Sequence, residues 1–316
     1  MLFHCALPNS ERAFILKRKN HQALCESLVY LKDKTASLLS ESERKKFQIL
    51  TDDLKKNPNI LFPFTLLNET LVQFAQENAV DAFKAYLTDF EFKRKQIETH
   101  LSVFPFGNAC LAPTQWQLCE RILTSEFPEE AYVQTPSKGT FKQTSTLVQN
   151  ALREIKKISP NYFAEIEALV SNMMVVHSNR FIAGSSFTLL GLVTLVDNHD
   201  PNMTAEYIIH EAAHQYLYNL MACDEICSGA GLHTSPLRKD PRPIEGVYHA
   251  AFVLARIIDF YNKALTQETT LPKNFMEKQI AYYRPRYKDA YDLLMEKATF
   301  TDLGQKLLES SKEMVL

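Results

Sequence analysis

At 316 residues the chain is long enough for one large domain or two, and 46% hydrophobic and 23% charged residues, with 8 Gly against 20 Phe, exclude disorder and low complexity. Lys plus Arg number 35 and Asp plus Glu 37, so the formal charge of -2 gives no global field to draw nucleic acid or an anionic membrane. The opening Met1-Leu2-Phe3-His4-Cys5-Ala6-Leu7-Pro8 has no basic region ahead of an apolar run, and no later segment reads as a span, so a cytoplasmic chain is expected.

From about residue 10 to residue 126, apolar residues recur at three- and four-residue steps and predict stacked helices. The run from Leu66 to Leu87 reads as one core-facing amphipathic helix, with Leu67, Leu71, Phe74, Ala79, Phe83 and Tyr86 on its stripe and Glu69, Glu77 and Asp81 off it. Two basic clusters, Arg44-Lys45-Lys46 with Lys55-Lys56 and Phe92-Lys93-Arg94-Lys95, sit beside acidic residues and read as solvated helix faces. The helical period breaks over Phe104 to Pro113 and again from Phe127-Pro128 to Gly139. The expected organisation is a helical region over residues 1–135, suited to holding a substrate, ahead of a metal-binding catalytic region over 136–316.

A helix follows from about Thr144 to Lys157, and Pro160 opens another carrying Phe163, Ile166 and Leu169. The segments Met173 to Ser178 and Phe187 to Asp197, rich in Val, Leu and Thr, predict strands buried on both faces. The fold class expected is therefore mainly α (α+β), with a small sheet packed on the helix that comes next. That helix, capped by Asn202 or Thr204 and with Glu206 in its first turn, runs through Leu220 and contains His210-Glu211-Ala212-Ala213-His214.

Two histidines four residues apart share one helix face, so both imidazoles can reach a single ion with Glu211 beside it as acid or base. A chance match in a chain of this composition is on the order of one in a hundred. A third ligand is needed, and the extended zincin pattern fails because its next His position is Leu220. Pro243 opens a helix that offers His249, among small Ala250 and Ala251, and Glu245 one turn earlier. Between the two helices the punctuated segment from Gly229 to Pro243 reads as a loop over the metal, and Arg238 and Arg242 on it suit a carboxylate, which guanidinium grips with two parallel donors.

Taken together, the HEAAH motif, Ser235-Pro236-Leu237-Arg238 with Asp240-Pro241-Arg242-Pro243, and Gly246-Val247-Tyr248-His249 resemble the HEXXH-motif peptide-modification family. The likeness covers roughly residues 170 to 260. The resemblance implies an Fe(II)- and 2-oxoglutarate-dependent hydroxylase acting at the β-carbon of a residue in a ribosomally made peptide. On that reading His210, His214 and His249 hold iron, and Arg238 or Arg242, with Ser235, holds 2-oxoglutarate. Non-haem iron usually takes two His and one carboxylate, so Glu245 and Glu211 stay in contention.

Two rival readings remain. In a zinc peptidase Zn2+ polarises the scissile carbonyl, Glu211 takes a proton from the bound water, and His249 or Glu245 completes the site. In a noncatalytic peptide-binding protein the metal is structural, and Cys223 or Cys227 would ligate it. The six cysteines are otherwise expected to be reduced thiols.

Overall fold

The structure is a computed structural model, and it describes residues 3–90, 101–107, 111–125, 132–180, 182–197, 199–238 and 240–315. The basic cluster at 92–95, the Phe127-Pro128 break and Cys110 lie outside the described residues. In chain order the elements are α1 (Ser10–Thr35), α2 (Glu41–Lys55), α3 (Phe64–Gln76), α4 (Val80–Asp89), β1 (Ser102–Pro105), α5 (Pro113–Thr124), β2 (Val133–Gln134), α6 (Lys138–Ile158) and α7 (Pro160–Leu169). There follow β3 (Asn172–Ser178), β4 (Ala183–Gly184), β5 (Leu192–Val196), α8 (Thr204–Met221), β6 (Cys227–Ser228), α9 (Ile244–Leu265), α10 (Lys273–Lys297), β7 (Thr299–Phe300) and α11 (Asp302–Val315). With 66% helix and 9% strand the chain is mainly α with small sheets, an α+β arrangement.

Two compact units share the chain. One takes Met1–Phe14, Thr146–Ala168 and Asp200–Leu316, and the other takes Ile15–Ser145 and Leu169–His199. Sequence from both sides of residue 135 therefore enters each unit.

The unit of residues 15–145 and 169–199 is built on a sheet of order β1-β3-β5-β4. β3 runs parallel to both β1 and β5, with Val176 opposite Val196, and β4 closes the far edge antiparallel to β5. All five residues of β5 and the first five of β3 are buried, as near-continuous apolar runs with cover on both faces should be. The expected strand over Phe187 to Asp197 is shorter than the sequence pattern suggested. Gly191 at φ +90 turns the chain just before Leu192, and Phe187–Leu189 forms a 3-10 turn capped by Ser186.

Two further features of this unit depart from the sequence reading. β1 lies within the stretch expected to be helical and broken, and it pairs with β3 through Val103, Phe104 and Pro105. Its Phe104 joins Phe106 around Trp116 of α5, at centroid distances of 6.2 and 5.3 Å. The single helix expected over Leu66 to Leu87 is two helices, α3 and α4. Asn78 sits at φ +54, the Asn78 N–H donates to the Ala75 carbonyl, and the Ala79 N–H donates to the Phe74 carbonyl. That is a Schellman cap with Asn in the left-handed position. The apolar stripe continues across it because both helices bury the same kind of face.

In the other unit α8 packs against α9, and α10 and α11 pack against α9 as well. Pro243 stands at the N-cap position of α9 without a side-chain cap, and its carbonyl accepts from the Gly246 and Val247 N–H groups. Nearly every α9 side chain from Val247 to Tyr261 is buried, so this helix is the unit's core. The short β6–β7 pair ties α10 to the segment after α8, and a Cβ on Gly304 would stand 1.8 Å from the Ile226 carbonyl, so only glycine lets α11 start there. Neither Asn202 nor Thr204 caps α8. Asp200 instead caps the 3-10 turn Pro201–Met203 that leads into it, and the Thr204 hydroxyl donates to the Pro201 carbonyl. Among the described residues no helix is long and apolar enough to cross a membrane.

Candidate metal centre

Every α8 side chain from Thr204 to Leu220 is buried except a single stripe, Tyr207, His210, His214 and Tyr218, which Met221 continues. The steps of three and four residues put these side chains on one helix face, so the motif histidines lie on the open side of a helix otherwise locked in place. The lock at its first turn is Glu206. Its buried carboxylate accepts from Tyr261 Oη at 2.7 Å, Gln279 Nε2 at 2.9 Å and Tyr283 Oη at 2.5 Å. Burial pushes the Glu206 carboxyl above its usual range, and these three donors counter it.

α9 brings the third histidine. Ala250 and Ala251 on α9 and Ala212 and Ala213 on α8 are small and buried, which suits a close approach of the two helices. His249, 9% exposed, places Nδ1 3.1 Å from Nδ1 of His214. The two rings are stacked at 5.4 Å, and His210 lies 5.0 Å from His214, centroid to centroid. Tyr218 stacks on His214 at 5.8 Å and approaches His249 at 5.1 Å. The second His249 nitrogen, Nε2, stands 3.1 Å from the Met221 sulfur.

Electrostatics favour neutral imidazoles throughout. Burial, followed by the positive charge of Arg238, lowers His210 to about 4. Burial alone lowers His249 to about 4. His214 is held well below the ordinary value by burial and then by His210, His249 and Arg238. Neutral imidazole is the form that binds a metal.

The other expected site residues fall around this cluster. Glu211 is buried, with Oε1 3.9 Å from Nε2 of His210. Glu245 is half-buried in the first turn of α9, and its charge, after burial, helps push the Cys227 thiol up to about 12. Ser235 is buried, and its hydroxyl accepts from the backbone N–H groups of Leu237 and Arg238, closing the turn that presents Arg238. Arg242 takes another path. Its backbone bridges to His233, and its side-chain carbons lie over Gly246, where a Cβ would meet Arg242 Cβ at 3.2 Å. The charge of Arg238 acts on both His210 and His214.

His177, His199 and His233 have local partners. His177 pairs with Asp197 at 2.9 Å, His199 faces the Val196 carbonyl at 2.7 Å and His233 faces the Ala230 carbonyl at 3.1 Å. Cys223 is exposed and Cys227 buried, and no described cysteine is in a disulfide.

His214 and His249 suit a shared metal ion by their chemistry and their spacing. Two nitrogens at about 2.1 Å from one ion are about 3.0 to 3.4 Å apart in octahedral or tetrahedral geometry, and the Nδ1 pair at 3.1 Å falls within that interval. Among the described residues no three His, Cys, Asp or Glu side chains already converge on one point. His210 lies one helical turn before His214, with the ring centroids 5.0 Å apart. Tyr218 and Met221 were missed in the sequence reading, although their spacing of four and seven residues from His214 puts them on the same stripe.

No family model matches the chain. No curated protein matches it either.

Proposed function

We propose that the chain is a peptide-modifying oxygenase that uses Fe(II) and 2-oxoglutarate to hydroxylate a residue, at its β-carbon, of a ribosomally made peptide. The observation that carries this reading is the meeting of His249 with His214 from separate helices, in the field of Arg238. Three neutral bases with one cation beside them suit a metal that binds together with an anionic ligand. A hydrolytic zinc site has no need of the cation.

In this reading His210, His214 and His249 would hold the iron, and Arg238 would take the far carboxylate of the keto acid. When bound, iron and 2-oxoglutarate together supply the oxidant, by oxidative decarboxylation with O2. The protein's own work is positional. Ser235 fixes the backbone turn beneath Arg238, and Glu206 with its three donors fixes the start of α8 so that the histidine stripe faces out. Modification of a freshly made peptide suits a cytoplasmic enzyme with reduced thiols.

One observation favours the zinc peptidase as a second reading: the buried Glu211 carboxylate stands beside His210, where it could take a proton from a bound water. Succinate release from 2-oxoglutarate by the Fe(II)-loaded protein separates the two. Succinate formed only with Fe(II) and O2, and lost in Arg238→Ala, supports the oxygenase. Anaerobic, Zn2+-dependent peptide cleavage that Glu211→Gln abolishes would replace it with the peptidase.

A further inference from the structure

Met221 ends the motif helix seven residues after His214 and on the same stripe. Its thioether sulfur lies 3.1 Å from His249 Nε2, while His249 Nδ1 lies 3.1 Å from His214 Nδ1. Both nitrogens of one ring are thus engaged. At pH 8 an ordinary imidazole is neutral and carries a single N–H, so such a ring donates at one nitrogen and accepts at the other.

A thioether has no proton to give, which makes Nε2 the donor of His249 and Nδ1 its lone-pair nitrogen. His214 must then donate from Nδ1. The neighbouring Tyr218 ring, 5.1 Å from His249 and stacked at 5.8 Å on His214, flanks both rings. The two histidines therefore hold opposite tautomers.

We propose that Met221 is a positioning residue of the centre: by accepting the His249 Nε2–H, its sulfur fixes the tautomer whose Nδ1 lone pair faces His214. In metal sites the partner of the non-ligating imidazole nitrogen is usually a carboxylate, a carbonyl or water, and it sets which nitrogen is left for the metal. Here a soft, uncharged acceptor takes that place, so it orients the ring without making it more basic. The inference rests on the three histidines forming a metal centre, but the tautomer pair belongs to the metal-free protein.

The test uses the metal-free full chain labelled with 15N-histidine at pH 8. Long-range proton–nitrogen spectra report the tautomer of each ring, and single His→Gln variants at 210, 214 and 249 assign them. The expected result is His249 protonated at Nε2 and His214 at Nδ1. Met221→Leu should give His249 averaged between tautomers and weaken Zn2+ binding about tenfold, and Met221→Gln, whose amide oxygen accepts, should restore both. His249 protonated at Nδ1 in the parent protein would overturn the proposal. So would a Met221→Leu protein with unchanged tautomer, whatever its metal affinity. If Met221→Leu does not fold, the tautomers of the parent chain decide alone. A chain that shows the tautomer pair yet ignores 2-oxoglutarate would retain this inference while losing the oxygenase reading.

Discussion

α9 carries two buried polar clusters about two turns apart, and they are satisfied in opposite ways. Around Arg256 the charges are complementary. Its guanidinium pairs with the buried Glu165 of α7 through both terminal nitrogens, lies 4.7 Å over the Tyr216 ring and 4.6 Å over Phe252, and adjoins Tyr162, which donates to Asp259 at 2.9 Å. Around His249 there are three like bases, with an N–H to N contact, a sulfur acceptor and a neighbouring cation. The first cluster pairs charge with countercharge, although Arg256 Nε and the Tyr216 hydroxyl are left without hydrogen-bond partners. The second gathers three imidazoles that burial keeps neutral, the form that an incoming metal ion can bind.

The largest expected effect breaks the charge-paired cluster. Glu165→Ala leaves the Arg256 charge buried without its partner and should lower unfolding free energy by about 3 to 5 kcal/mol, read by denaturant titration. The matching change in the histidine cluster, His214→Ala, should cost less than about 1 kcal/mol in metal-free protein while weakening Zn2+ binding more than about 100-fold. Equal stability losses in the two variants would erase the distinction.

Acid separates the clusters next. Because burial holds the folded imidazoles below their ordinary value, the unfolded chain takes up protons first as pH falls. The metal-free protein should be most stable above about pH 6.5 and lose about 1 kcal/mol per pH unit per histidine down to about pH 4. His249→Gln should flatten that slope in thermal melts taken across the range. A melting temperature that rises on acidification would contradict the neutral-imidazole assignment.

Arg238→Ala has a smaller effect of known sign. Removing a like charge should raise the titration points of His210 and His214 and leave that of His249 unmoved, as followed by NMR. The smallest effect lies in the other unit, where Asn78→Gly should stabilise by up to about 0.5 to 1 kcal/mol because glycine takes the left-handed cap position without strain. A destabilised Asn78→Gly would mean that the break between α3 and α4 is held by something other than its cap.

What the sequence made legible follows the range of the forces involved. The α8 motif, the opening of α9 at Pro243 and the buried β3 and β5 are local patterns of spacing and apolarity, and each is present. His249 was reachable as a third base because small neighbours marked a close helix approach. The pairing of β1 with β3 spans some seventy residues and left no local mark. The left-handed Asn78 hid inside an unbroken apolar stripe. The influence of Arg238 on the histidines was also beyond spacing, since it depends on the path of the loop that carries it. Met221 sat in plain view at helical spacing, but a methionine on a helix face usually reads as core.

Absorption spectra of the anaerobic Fe(II)-loaded protein titrated with 2-oxoglutarate test the central claim most directly. The account expects a saturable metal-to-ligand charge-transfer band that is absent in His249→Ala and reached only at higher 2-oxoglutarate in Arg238→Ala. Fe(II) that binds without developing this band, or a band unaffected by either variant, would contradict it.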